Sequence, residues 1–158
     1  MSMSFTVETG TGSSTATSYA TVDQYKQYWS NRGTTITDTT ATIQGYLNAA
    51  TEYIDISFTF RGEKYTEGQA LEWPRYGIVD YAGNVEIDDG IIPQKLIDAT
   101  CYLAAQAANG TLIPVDDGVR SETFGPVSKT YSGQKSFPMA DKLLRQLIVS
   151  GNTMVRVN

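Results

Sequence analysis

Residues 71–92, LEWPRYGIVDYAGNVEIDDGII, concentrate the side chains best able to do chemistry: a Trp-Pro-Arg triplet, two tyrosines and the acids Glu86, Asp88 and Asp89. With Asp116-Asp117 further on, these carboxylates are the raw material of a glycosidase pair or a calcium site. Adjacent acids in glycine-rich loops are more commonly solvated turn residues. The loop opening at Asp80 also has Ala82 where an EF-hand needs its second oxygen ligand. The glycines of TGTG run into a Thr/Ser tract with no Gly-Lys-Ser, so no phosphate loop forms. The chain has no histidine, which removes the commonest general base and the commonest transition-metal ligand together. Its single cysteine, Cys101, falls in an apolar helical run and reads as a small buried hydrophobe. The expectation is therefore no catalytic residue, no metal site, no cofactor and no enzymatic activity.

Trp73-Pro74-Arg75 admits two uses. In the first, Trp73 anchors a long loop by burying its indole, Pro74 stiffens that point, and Arg75 projects outward or pairs with an acid within the chain or on a neighbouring subunit. In the second, Trp73, Arg75, Tyr76 and Tyr81 form a platform on which bases of single-stranded DNA stack.

The elements that must position these residues follow from periodicity. Residues 1–20 read as a flexible or extended arm rich in Ser, Thr and Gly, with strand-like alternation in SFTVE. It would order, if at all, against a neighbouring subunit. Thr21 and Gln24 fit a capping box opening a first helix with Val22, Tyr25 and Trp29 on one face, ended at Gly33. Asp38 or Thr39 caps a second helix whose stripe is Ile43, Leu47, Ala50, Ile54 and Phe58. Gly45 lies inside it, a place for another backbone to approach closely. Pro93 begins a third, buried through Leu96, Ile97, Thr100, Leu103, Ala104 and Ala107 and stopped by Gly110. Residues 119–131, VRSETFGPVSKTY, alternate around Gly125-Pro126 and predict a projecting hairpin. A fourth helix spans about 139–149, apolar at Leu143, Leu144, Leu147 and Ile148. The tail 151–158 alternates like a strand without a partner. The fold class expected is mainly α: a small four-helix bundle with a projecting β-hairpin and extended N- and C-terminal arms, in one domain over 21–150.

With 158 residues the chain is long enough to bury a core without disulfide or metal. No apolar run approaches the roughly 18 residues of a membrane span, and the first residues lack the pattern of a secretory signal. A soluble protein made in the cytoplasm, with no membrane contact, is expected. Net charge is −5, with only 12 basic residues and no run of them, which weighs against a strong grip on nucleic acid.

An ordered series of blocks carries a family resemblance: SYATVDQYKQYW, AATEYIDISFTFRGEKYTEGQALEWPRYGIVD, GIIPQKLIDATCYLAA and RSETFGPVSKTY, across residues 5–149. The chain resembles head-to-tail connector, or adaptor, proteins of tailed bacteriophages, which often carry the description DnaT-like single-stranded-DNA-binding protein. The resemblance implies a structural virion protein of the neck. It would form a ring of twelve copies under the portal protein, extend the DNA channel without sequence-specific binding, and dock the next neck or tail protein. On that reading Thr153, Met154, Val155, Arg156 and Val157 dock on the portal by strand addition or groove insertion. Phe124, Gly125 and Pro126 of the hairpin, and Trp73, Pro74 and Arg75, would make interfaces. The alternative is a phage-encoded single-stranded-DNA-binding protein.

Overall fold

Thr21 does open the first helix. Its hydroxyl accepts from the Gln24 amide at 2.9 Å while the Gln24 side chain accepts from the Thr21 amide at 2.8 Å, so two orphan donors are satisfied reciprocally. The computed structural model describes residues 3–112 and 137–149. Helix α1 is Val22–Ser30, α2 Thr40–Ser57, α3 Gln94–Ala108 and α4 Pro138–Leu144. Thr39 caps α2 by accepting from the Thr42 amide at 3.2 Å.

The core lies largely where the stripes predict, but Phe58 falls just past α2 and, with Ile97 and Ala107, is only partly buried, while Ala99 and Cys101 join the core. Ile43, Leu47, Ala50 and Ile54 of α2 are buried against α3, which presents Leu96, Ala99, Thr100, Leu103 and Ala104. Each Leu or Ile so enclosed contributes about 1.5–3 kcal/mol relative to exposure. The alanines of α3 let its other neighbours, α1 and α4, come close. Thr100 disposes of its hydroxyl by donating to the Leu96 carbonyl at 2.8 Å. In α1 the buried pair is Tyr25 and Tyr28, while Trp29 sits half-buried at the margin and donates its indole N–H to the Cys101 carbonyl at 3.1 Å. Among the described residues Gly45 approaches no other backbone: a Cβ there would meet the Met3 sulfur at 3.9 Å.

Three expectations need correction. The fold is mixed α and β among the described residues, not a plain helical bundle. The interval 61–92 holds two small antiparallel sheets: β1 (Glu63–Lys64) with β2 (Arg75–Tyr76), and β3 (Ile78–Val79) with β4 (Val85–Ile87). Their registers are Glu63↔Tyr76 with Lys64↔Arg75, and Ile78↔Ile87 with Val79↔Val85. The fourth helix stops at Leu144. The Leu147 carbonyl instead accepts from the Arg61 amide at 2.9 Å, and the Val149 amide donates to Thr59 at 2.9 Å, a bridge from Phe60 to Ile148. Tertiary pairing has taken the groups a longer helix would have used.

The N-terminal segment is packed on the body of its own chain. Val7 bridges to Ser18, and Ala16, Tyr19 and Ala20 are buried. Glu8, only 2% exposed, accepts from the amides of Gly10, Gly12 and Ser13 at 2.8–2.9 Å, holding the turn closed around one carboxylate. Gly10 has φ 113°, and a Cβ on it would lie 2.6 Å from the Gly90 carbonyl oxygen, so this loop docks backbone to backbone. The 119–131 hairpin and the 151–158 tail lie outside the described residues.

Candidate nucleic-acid interface

Two aromatic and cationic regions emerge from the interval 61–92, and their geometry separates them. Trp73 is 0% exposed, its ring edge-on to Phe60 with centroids 5.6 Å apart. Its backbone amide donates to the Tyr19 hydroxyl at 3.2 Å, and the peptide bond to Pro74 is cis. Pro74 exposes its carbonyl to two donors, the Gln69 side-chain amide at 2.9 Å and the Tyr65 amide at 3.0 Å. Arg75 is 9% exposed and each of its three nitrogens donates within the chain. Nε donates to the Arg61 carbonyl at 2.6 Å and Nη2 to the Gly62 carbonyl at 2.8 Å. Nη1 donates to the Glu72 carbonyl at 3.0 Å and to its carboxylate at 3.1 Å. The triplet is thus a lock that fastens the start of β2 to the chain around Gly62. A Cβ on Gly62, which has φ 73°, would run into the Tyr76 carbonyl. Of the four residues a stacking platform needs, Trp73 and Arg75 are enclosed, and Tyr76 and Tyr81 are exposed.

Beneath the lock sits a polar staple. Tyr19 donates to Asp55 at 2.5 Å, and the other Asp55 oxygen accepts from the Glu72 amide at 3.2 Å. Burial pushes the Asp55 carboxyl up to about 6, against the lowering effect of these two donors. Burial first, then the neighbouring Asp55 charge, drives the Tyr19 phenol well above its ordinary value. Desolvation outweighs hydrogen bonding here because, among the described residues, no cation bridges to Asp55.

The second region is a groove of about 780 Å³ between the β3–β4 hairpin and α4. Arg61 ties its two walls together: it donates to the Gln146 carbonyl at 2.7 Å on the helix side and to the Val79 carbonyl at 2.9 Å on the hairpin side. It also meets Glu86 at 2.8 Å. Asp80 shapes the hairpin tip, its Oδ1 accepting from the Ala82 and Asn84 amides at 2.8 and 2.9 Å. Those donors hold its carboxyl below the usual carboxylate range. Tyr81 stands at the tip with its ring fully exposed. Across from it, Lys142 and Arg145 line the helix side, and neither makes an ion pair among the described residues. Asp141 also lines the groove, its carboxyl raised by burial.

The sequence points to Tyr81 but not to Arg61, Asp80, Lys142 and Arg145 as parts of one site, since they come from segments far apart in the chain. The one available signal was local: Ile78-Val79 and Val85-Glu86-Ile87 flank an Asp/Gly/Asn turn, the pattern of a short hairpin. Phe124, Gly125 and Pro126, and Thr153 through Val157, lie outside the described residues.

Among known proteins, the profile of one family matches residues 3–158; its description reads "Putative DnaT-like ssDNA binding protein". No curated protein matches the chain, and no solved structure does.

Proposed function

The chain belongs to this DnaT-like family, matched over residues 3–158, and from that premise we propose that it is a binding protein without catalytic activity whose ligand is single-stranded DNA. The observation that carries the reading is the pairing of the fully exposed Tyr81 with Lys142 and Arg145 across one groove. An aromatic face takes any base, and cations beside it take the backbone, which is the physical recipe for single-strand binding. The acidic balance of the chain, −5, limits how many phosphates are neutralised, so binding is modest and sensitive to salt. Fluorescence anisotropy of a labelled single-stranded oligonucleotide, titrated with the full chain from 50 to 300 mM salt, tests it. The expected result is an affinity that falls steadily with salt and exceeds that for duplex DNA of equal length. Absence of binding at low salt overturns the reading.

A second reading is favoured by that same net charge: a head-to-tail adaptor of a tailed phage, residing in the virion neck. A surface that neutralises few phosphates suits a channel through which DNA slides. On this reading the partners are the portal protein, further copies in a ring of twelve, and the next neck or tail protein. The alternating tail 151–158 is the portal contact. Mass photometry of the chain mixed with its cognate portal protein would show about twelve added copies, and removal of 151–158 would abolish the complex while leaving the melting temperature unchanged. A portal that gains no mass from the full chain sinks the adaptor reading.

A further inference from the structure

Resting on the single-stranded-DNA reading, we propose that the groove between the β3–β4 hairpin and α4 holds one nucleotide, with its base on Tyr81 and its phosphates on Lys142 and Arg145. The Asp80 and Glu86 carboxylates select bases that carry an exocyclic amino group. The volume, about 780 Å³, lies inside the range of roughly 300–1,000 Å³ typical of small-ligand sites. Tyr81 has no role in the core, since its ring is entirely outside it. Yet the backbone beneath it is firmly set by the Asp80 turn, by the Asp80 amide donating to the Asn84 carbonyl at 2.9 Å, and by the Arg61 tie. An exposed aromatic on a rigid tip loses little entropy when a base stacks on it.

The two walls differ in chemistry. On the helix side Lys142 and Arg145 offer donors and positive charge to a phosphate, beside the Asp141 carboxyl, whose charged form burial disfavours. On the hairpin side the polar groups are acceptors. Glu86 gives one oxygen to Arg61, and its other oxygen makes no hydrogen bond among the described residues. Asp80 is an exposed carboxylate whose Oδ1 accepts the Ala82 and Asn84 amides and whose Oδ2 accepts one bond from the Asn84 side chain, leaving that oxygen a further lone pair. An ionised carboxylate only accepts. The N4 amino group of cytosine and the N6 amino group of adenine can donate to such a wall, whereas thymine turns its O4 oxygen toward it. Oxygen facing carboxylate is repelled, so a strand rich in thymine is disfavoured.

The test uses the full chain and two labelled twelve-nucleotide strands, oligo-dC and oligo-dT, in anisotropy titrations. We expect oligo-dC to bind about fivefold or more tightly than oligo-dT, the size of a single hydrogen-bond preference. Tyr81→Ala should weaken both by about tenfold, as the loss of one stacked base does. Lys142→Glu/Arg145→Glu should weaken both further and lower the salt slope by about 1.4, or about 0.7 for each of two phosphates. Asp80→Asn, which keeps an acceptor oxygen for the turn, should bring the oligo-dC to oligo-dT ratio near one. Lys26→Glu/Lys95→Glu makes the same charge change on α1 and at the start of α3, outside the groove. If it weakens binding as much as the groove pair does, or if Tyr81→Ala binds normally, DNA lies elsewhere. The groove proposal then falls while the single-strand reading stands. Equal affinity of the unaltered chain for both strands overturns the base selection. Failure to bind either strand overturns the single-strand reading, and the groove with it.

Discussion

The Trp73–Arg75 lock and the hairpin–α4 groove are built from the same residue types, an aromatic, an arginine and nearby acids, yet they do opposite things. In the lock all three nitrogens of Arg75 donate to acceptors inside the chain, and Trp73 has no face left for a ligand. In the groove the equivalent groups are divided: Arg61 is tied into the fold, while Tyr81 is fully exposed and Lys142 and Arg145 make no ion pair among the described residues. The arginines of the lock and of the tie differ from Lys142 and Arg145 in how far the fold already uses their donors, and residue type does not report that.

Substitutions that separate stability from binding sharpen this contrast, and the largest effect belongs to the lock. Trp73→Ala should cost about 3–5 kcal/mol in chemical denaturation, because it empties a fully enclosed site against Phe60. A loss below about 1 kcal/mol would mean that the indole is not an anchor. Arg75→Lys should follow, losing about 2–3 kcal/mol despite keeping the charge, since an ammonium cannot reach the Arg61, Gly62 and Glu72 acceptors as one planar fork does. Full stability in Arg75→Lys would erase the distinction between the two regions.

The staple below the lock gives a smaller, pH-dependent effect. The Asp55 carboxyl is raised by burial from 3.8 to about 6 on folding. Its favourable contribution is therefore complete below its unfolded value and lost as pH rises through about 6. Asp55→Asn removes that titration, so unaltered protein minus Asp55→Asn stability should fall by at most about 2 kcal/mol between pH 4 and pH 7, allowing for partial solvent screening. A difference that grows with pH would reverse the assignment. Smallest of all, Tyr81→Ala should leave stability within about 0.5 kcal/mol, as an exposed side chain outside the core does. If it unfolds the protein, Tyr81 belongs to the lock's class and not the groove's.

The helical part of this molecule was legible in its sequence because its determinants are local. The Thr21/Gln24 box, the Ile43-Leu47-Ala50-Ile54 stripe and Pro93 as the boundary of α3 each act within a few residues of the helix they specify. What was not legible depends on partners distant in sequence. Composition makes residues 1–20 look loose. A single carboxylate, Glu8, organises the turn after it, and burial of Tyr19 and Ala20 fixes the rest. β1 and β2 have two residues each, too few for a period, and exist because Arg75 is held beside Gly62. The fourth helix is shorter than its apolar pattern predicts because nothing near Leu147 announces that its carbonyl will meet Arg61. The candidate site inherits this problem, since its floor and its two walls come from three separate stretches.

The tie between Arg61 and the Gln146 carbonyl spans 85 positions. Closing a loop that long is slow relative to forming a helix, since chain entropy is lost before the contact gives anything back. During synthesis α1, α2 and both small sheets leave the ribosome well before residues 146–149. A nascent chain halted short of that point holds the residues of the lock but not the tie that joins the two walls of the groove, so the groove is among the last features of the molecule to close.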